Sequence, residues 1–447
     1  MKLQYEKPLI SRQRGGAANK FAGFIRQNHE NTIEGIKTAE LLHQYGSPLY
    51  VFSEKTIKHK YSELTNAFSF RYPRVQHAWS YKTNYLQGIC KTLHPLGSWA
   101  EVVSPMEYDM ARRLNVPGSH IVFNGPYKPY DGLKRAAIDR ALINIDSLDE
   151  LEDIEKISIE LGRPISIGIR LNMSLGTQMS WDRYGFNIES GFAETIIKRC
   201  VSSRSVIVTG LHAHIGTFVY ESMHYRTAIT KMIGFAKKMQ SKYGLRFDYI
   251  DIGGGFASKN RLKTTYAGTT DAQGIFDHYA EAICEPLLDA FNGGDLPLLL
   301  LESGRSVIDE AGTIITTITS TKRLNNGMRG LVIDAGVNLL FTAFWYDHDV
   351  IPTIDRGSAT ENHVIYGPLC MQIDVIRENI KLPPLEKGDS VLIRPAGAYN
   401  NTQWLQFINP RPAVIMIGED GQIAMLRKAE TVDYLQQGEQ IPKWLNN

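Results

Sequence analysis

No run in the chain is apolar over enough residues to cross a bilayer, and the first 23 residues are basic and polar, without the apolar core of a secretory signal. Neither sign of charge dominates. A formal net charge of +2 over 447 residues suggests neither a nucleic-acid nor a membrane partner. Cysteine is scarce: Cys90, Cys200, Cys284 and Cys370 lie far apart with no Cys-x-x-Cys pair. That spacing indicates neither a disulfide framework nor a thiolate zinc site, and it fits a reducing cytoplasm. Internal repeats and low-complexity tracts are also missing, and no Gly-x-Gly-x-x-Gly turn follows the first strand of the long alternating region, where a dinucleotide-binding sheet carries one.

What is present is ordinary globular chemistry, with 43% hydrophobic and 21% charged residues. The length exceeds the roughly 250–300 residues that one core organises, so two domains are expected. After a leading strand at 48–52 and a helix over 54–69, short apolar runs alternate with stretches of helical period. Eight strands are expected at 76–81, 99–103, 120–124, 142–146, 165–171, 206–214, 247–252 and 297–301. Eight parallel units favour a closed (β/α)8 TIM barrel over a doubly wound sheet. Ser147, with Glu150 three residues on, marks the start of a helix over 147–161. From about 313 the pattern turns all-β, with strands at 313–321, 330–334, 363–367, 390–394, 413–417 and 423–426. The expected division is an N-terminal segment 1–48 joining the β domain, a barrel over 49–313, and a β-sandwich or barrel over 314–447.

On that map the unusual residues fall at the C-terminal ends of barrel strands, the face that carries the chemistry of this fold. Lys82 follows the first strand; alone it reads as a solvated loop residue, but here it is a candidate catalytic amine whose pKa burial and positive neighbours lower. Gly253, Gly254 and Gly255 after the seventh strand suit a phosphate cradle or a tight turn, and Arg305 can add a charged contact. His212 and His214 share one strand face, which fits a metal pair with Glu302 as third ligand less well than a ring packed on a flat cofactor; His212 also suits a plain core position. An apolar strand that ends in Glu302 places a carboxylate where it needs a cation. Together these groups describe a pyridoxal 5′-phosphate site with no metal.

The ordered set Ser47-Pro48-Leu49-Tyr50-Val51, Tyr81-Lys82-Thr83-Asn84, Glu101-Val102-Val103-Ser104, His212-Ala213-His214-Ile215-Gly216, Asp251-Ile252-Gly253-Gly254-Gly255, Glu302-Ser303-Gly304-Arg305, Gly367-Pro368-Leu369-Cys370 and Gly397-Ala398-Tyr399 resembles the barrel-type pyridoxal-phosphate decarboxylases, which include diaminopimelate, ornithine and arginine decarboxylases. The resemblance covers 46–417. It implies Lys82 as the Schiff-base lysine, His214 stacked on the ring and Glu302 paired with the pyridine nitrogen. It also implies a phosphate site from Gly254, Gly255, Arg305 and Tyr399, with Thr217 and Gly304 among the cofactor-binding residues. Cys370 would reach the active site of a partner subunit and protonate the carbanion, so that two complete sites require a homodimer.

Two departures bear on the substrate, whose contacts are expected from Arg305, Thr342, Met371 and Tyr399. The family's acidic residue after the cysteine is Met371 here, and the arginine that diaminopimelate enzymes place eight residues after the Asp334 position is Thr342. A distal ammonium would then be poorly paired, which costs a few kcal/mol in a buried pocket. The expected substrate is therefore not free diaminopimelate, ornithine or lysine, but a side-chain-acylated diamino acid of siderophore assembly. The alternatives are diaminopimelate decarboxylase itself, and a non-catalytic dimeric homologue. A racemase on the same barrel is disfavoured, because its paired tyrosine base is not evident here and the Gly-Pro-Leu-Cys stretch is.

Overall fold

A computed structural model describes residues 29–176, 182–263, 275–291, 296–357 and 359–445. The expectation about the first 23 residues lies outside them. Two short strands, Thr32–Ile33 (β1) and Ile36–Lys37 (β2), form a hairpin, and Leu49–Ser53 (β3) follows. Eight strands then make the barrel: Val75–Ser80 (β4), Trp99–Val102 (β5), Ile121–Phe123 (β6), Leu142–Ile145 (β7), Ile165–Asn172 (β8), Val206–His212 (β10), Tyr249–Asp251 (β11) and Leu298–Leu301 (β12), with Phe186–Asn187 (β9) beside the end of β8. All eight neighbours pair in parallel, and the ring closes where β12 meets β4 and β8 meets β10. Each strand coincides with an apolar run foreseen from the sequence.

The intervening helices bury one stripe and are capped where the sequence marks them. Helix Glu54–Ser69 turns Ile57, Tyr61, Leu64 and Phe68 inward, a three-to-four-residue spacing that keeps one face on the barrel. Its cap Ser53 accepts from Thr56 N at 3.1 Å. Ser147 likewise accepts from Glu150 N at 3.3 Å while Glu150 Oε2 accepts from Asp146 N at 2.8 Å, which starts helix Leu148–Leu161. Ser147→Ala is expected to lower stability by about 1 kcal/mol, read as a reduced urea midpoint with an unchanged slope.

The second sheet is formed by Gly312–Arg323 (β13), Arg329–Ile333 (β14), Asp349–Pro352 (β15), Glu361–Tyr366 (β16), Val375–Leu382 (β17), Ser390–Arg394 (β18), Val414–Ile417 (β19) and Ile423–Arg427 (β20). The leading strand β3 belongs to it, antiparallel to β13 and parallel to β19, instead of opening the barrel segment. The reason is packing: Leu49 and Val51 join Leu41, Ile315, Leu392 and Ile415 in a core of their own. Strands β15 and β17 were not foreseen, because β15 is short and ends in proline while β17 exposes Glu378 and Asn379 side by side and breaks the alternation. Among the described residues no helix is long and apolar enough to cross a membrane.

Candidate active site

The barrel's closure brings the sequence-predicted residues to one rim. Lys82 sits in the single turn Tyr81–Thr83 after β4, and its Nζ donates to Glu101 Oε2 at 2.5 Å. Burial alone would strip the charge from this ammonium, but Glu101, Glu302 and Tyr399 outweigh it and hold the pKa above the ordinary lysine range. The expected lowering is thus reversed, because the neighbours are carboxylates and not cations.

Glu302 directly follows β12 and is buried. Burial pushes its pKa up, yet the His212 imidazole and the Lys82 ammonium prevail and hold it well below the usual carboxylate range. The adjacent Asp251 moves the other way, its pKa raised by burial and by the charge on Glu302. The ligand-type atoms of His212, Asp251 and Glu302 lie within 4.8 Å of one another. His214, the other half of the histidine pair, turns away to accept from Gly254 N at 3.1 Å. Burial and the nearby Lys82 charge push its pKa down to about 3, so it presents a neutral ring.

The anion pocket is built from the glycine loop and Arg305. Gly253 and Gly255 take φ of +70° and +91°, which only glycine adopts without strain. A Cβ on Gly253 would meet His214 Nδ1 at 2.6 Å and Ala213 O at 2.8 Å, so the loop is pressed against the end of β10. Arg305 is buried between the rings of Tyr346 and Tyr399, 4.7 and 4.8 Å from their centroids. Its Nε and Nη1 have no hydrogen-bond partner among the described residues. Nη1 lies 3.6 Å from Asp309 Oδ2, an ion pair beyond hydrogen-bond distance, so both N–H groups remain available to a phosphate against this loop. Tyr399, whose N donates to Thr83 O at 2.8 Å, holds a φ of +64°, an unusual conformation for a bulky residue and one that clusters at binding sites. Gly304 packs on the Thr83 side chain, and Thr217 lies exposed in the loop that follows β10. The residues thus fit pyridoxal phosphate at four points: amine, ring face, ring nitrogen and phosphate.

The proposed substrate contacts fare differently. Thr342 is buried, with its hydroxyl bonded to His348 Nε2 and Asn400 Oδ1, both at 2.9 Å, so it braces its own turn. Cys370 is exposed and Met371 half-buried on the turn between β16 and β17. Buried Asp374 fastens that turn by accepting from Leu369 N at 2.7 Å and Val337 N at 2.8 Å.

Several site residues carried no role in the sequence reading. Glu101 bonds Lys82, Asn124 joins Glu101 to Glu302, and buried Arg170 pairs with Asp146 at 2.8 Å and lies 4.4 Å from the Tyr184 ring centroid. Their signal was a polar residue inside or directly after an apolar barrel strand, a place where it must be buried and bonded.

Residues 54–309 match the family described as "Pyridoxal-dependent decarboxylase, pyridoxal binding domain". The chain is 26% identical to diaminopimelate decarboxylase of Aquifex aeolicus, with 90% of this chain and 94% of that one aligned, and 28% identical to that of Methanothermobacter thermautotrophicus, with 92% and 95% aligned. The crystal structure of diaminopimelate decarboxylase from M. jannaschii superimposes with a TM-score of 0.84 at 27% identity, covering 95% of this chain and all of that one. These likenesses overturn the expected siderophore-type substrate and the exclusion of free diaminopimelate. That expectation rested on positions 342 and 371, whereas the likeness to enzymes of diaminopimelate runs through 90% of the chain. The matched domain covers more than half of the 447 residues and contains the lysine, the glycine loop and the carboxylate of the site, so the chain belongs to the pyridoxal-dependent decarboxylases, carboxy-lyases that act on amino acids with pyridoxal 5′-phosphate.

Proposed function

We propose that the chain decarboxylates diaminopimelate to lysine and carbon dioxide in the cytoplasm. The near full-length likeness to diaminopimelate decarboxylases carries this reading. When bound, pyridoxal phosphate supplies an electron sink for the carbanion left as the carboxylate departs. Lys82 contributes the amine, and the Glu101 carboxylate beside it accepts its hydrogen bond and orients it. Glu302 sets a fixed negative charge against the ring nitrogen, while His214 offers a neutral flat face. Arg305, Gly254, Gly255 and Tyr399 receive the phosphate, with Gly304 and Thr217 at its edges.

Cys370 donates the proton to Cα in the active site of a second copy, so that the working form is a homodimer with shared sites. Its exposure on a turn braced by Asp374 supports this placement. Met371 on the same turn then borders the substrate's distal end, where the family's acidic residue is replaced by an apolar one.

Protein loaded with pyridoxal phosphate is expected to release one carbon dioxide and one lysine per meso-diaminopimelate. Absence of lysine from protein whose Lys82 is marked by borohydride reduction would overturn the substrate while leaving the cofactor site in place.

A further inference from the structure

A chain of neutral side chains crosses the barrel interior and ends on both catalytic carboxylates. Asn124, just after β6, donates through Nδ2 to Glu101 Oε1 at 3.2 Å and also to Glu302 Oε1. Its Oδ1 accepts from Asn144 Nδ2 at 2.9 Å, and Asn144 Oδ1 accepts from the Tyr249 hydroxyl at 2.7 Å. The direction of this chain is forced from one end. Ionised carboxylates only accept, so the Asn124 NH₂ must face them; its oxygen then needs the Asn144 NH₂, and the Asn144 oxygen needs a donor, which Tyr249 provides.

The barrel is shaped around these groups. A Cβ on Gly168 of β8 would collide with Asn144 Oδ1 and the Tyr249 hydroxyl, and one on Gly210 of β10 with the Tyr249 ring. Two strands thus give up a side chain at the level where the relay passes.

We infer that Tyr249, Asn144 and Asn124 are positioning residues that hold Glu101 against Lys82 and Glu302 against the cofactor's ring nitrogen, by feeding one oriented hydrogen bond to each carboxylate without adding a cation. A neutral donor favours the ionised form while leaving the site's net charge for the cofactor. The other groups facing this pair are Lys82, Ser80 and Glu107 at Glu101, and His77, His212, His214, Asp251 and Lys82 at Glu302. The inference rests on the assignment of Lys82 and Glu302 to the cofactor, not on the identity of the substrate.

The test is an absorbance titration of bound pyridoxal phosphate against pH in wild type, Tyr249→Phe, Asn124→Leu and the double variant. Each single variant is expected to move the acid-side midpoint up by about one pH unit. Because both act along one path, the double variant matches Asn124→Leu and not the sum of the two. An unmoved midpoint in Tyr249→Phe, or additive shifts, overturns the relay. Tyr249→Phe keeps the ring that fills the space beside Gly168 and Gly210, so its shift decides the matter even if Asn124→Leu does not fold. Borohydride reduction of the wild type separates the two failures: no mark on Lys82 removes the site assignment and the relay with it, whereas a marked Lys82 with an unmoved midpoint removes the relay alone.

Discussion

Lys82→Ala is expected to lower kcat by at least ~10³-fold and to abolish borohydride labelling of the chain by pyridoxal phosphate, because the reaction then has no amine at the barrel rim. No described lysine can take its place. Lys128, which follows β6, is buried in an ion pair with Glu150 at 2.9 Å and donates to Gly125 O at 2.8 Å. The informative companion is Lys82→Arg. A guanidinium preserves the positive charge beside Glu101 and Glu302, so the fold and the ionisation of the carboxylates survive, but it cannot form the covalent link. Equal loss of activity in both variants assigns the role to the amine itself. If Lys82→Arg kept more than about a tenth of the turnover, charge alone would suffice and the assignment would fail.

Glu107→Gln is expected to stabilise the protein above pH 7 and to change little at pH 4. Glu107 sits in the first turn of helix Pro105–Arg113, where its N bonds Ser104 Oγ at 3.2 Å and its Oε2 accepts from Val103 N at 2.8 Å. Burial pushes its pKa from 4.5 up to about 7, with Glu101 adding to the rise. The folded state therefore binds this proton more tightly than the unfolded chain. Below about pH 4.5 both states are protonated and the group is neutral in its effect. As pH climbs towards 7 the unfolded chain releases the proton first, and stability falls by roughly 3 kcal/mol across the window before levelling off. Glutamine keeps an oxygen for Val103 N and carries no charge, so most of that loss is recovered. Melting temperatures at the two pH values check this, and a gain of the same size at both would show that ionisation is not the cause.

The catalytic lysine and the buried acid were legible for the same reason as the barrel. Each barrel strand is a short apolar run bounded by turns, and a charged residue directly after such a run has few places to go. Lys82 and Glu302 could be assigned to one rim by counting strands, since parallel strands all end on the same side. The expected division at residue 49 placed β3 at the head of the barrel segment, because its apolar residues read alike in a barrel or in a second sheet; only the packing of Leu49 and Val51 on Ile315 and Ile415 separates the two.

The sequence by itself determined the class of chemistry: the local runs that become strands, the caps that start helices, and the residue types able to hold a pyridoxal phosphate. The tertiary structure decided the charge states and the spent side chains. Lys82 is held protonated because closure sets carboxylates from β5 and β12 beside it. The Thr342 hydroxyl is engaged by His348 and Asn400. Tyr249, Asn144 and Asn124 meet only when β6, β7 and β11 share one interior layer. Strand formation follows from neighbours in sequence, whereas a pKa or a hydrogen-bond direction follows from neighbours in space, and for these residues the two sets hardly overlap.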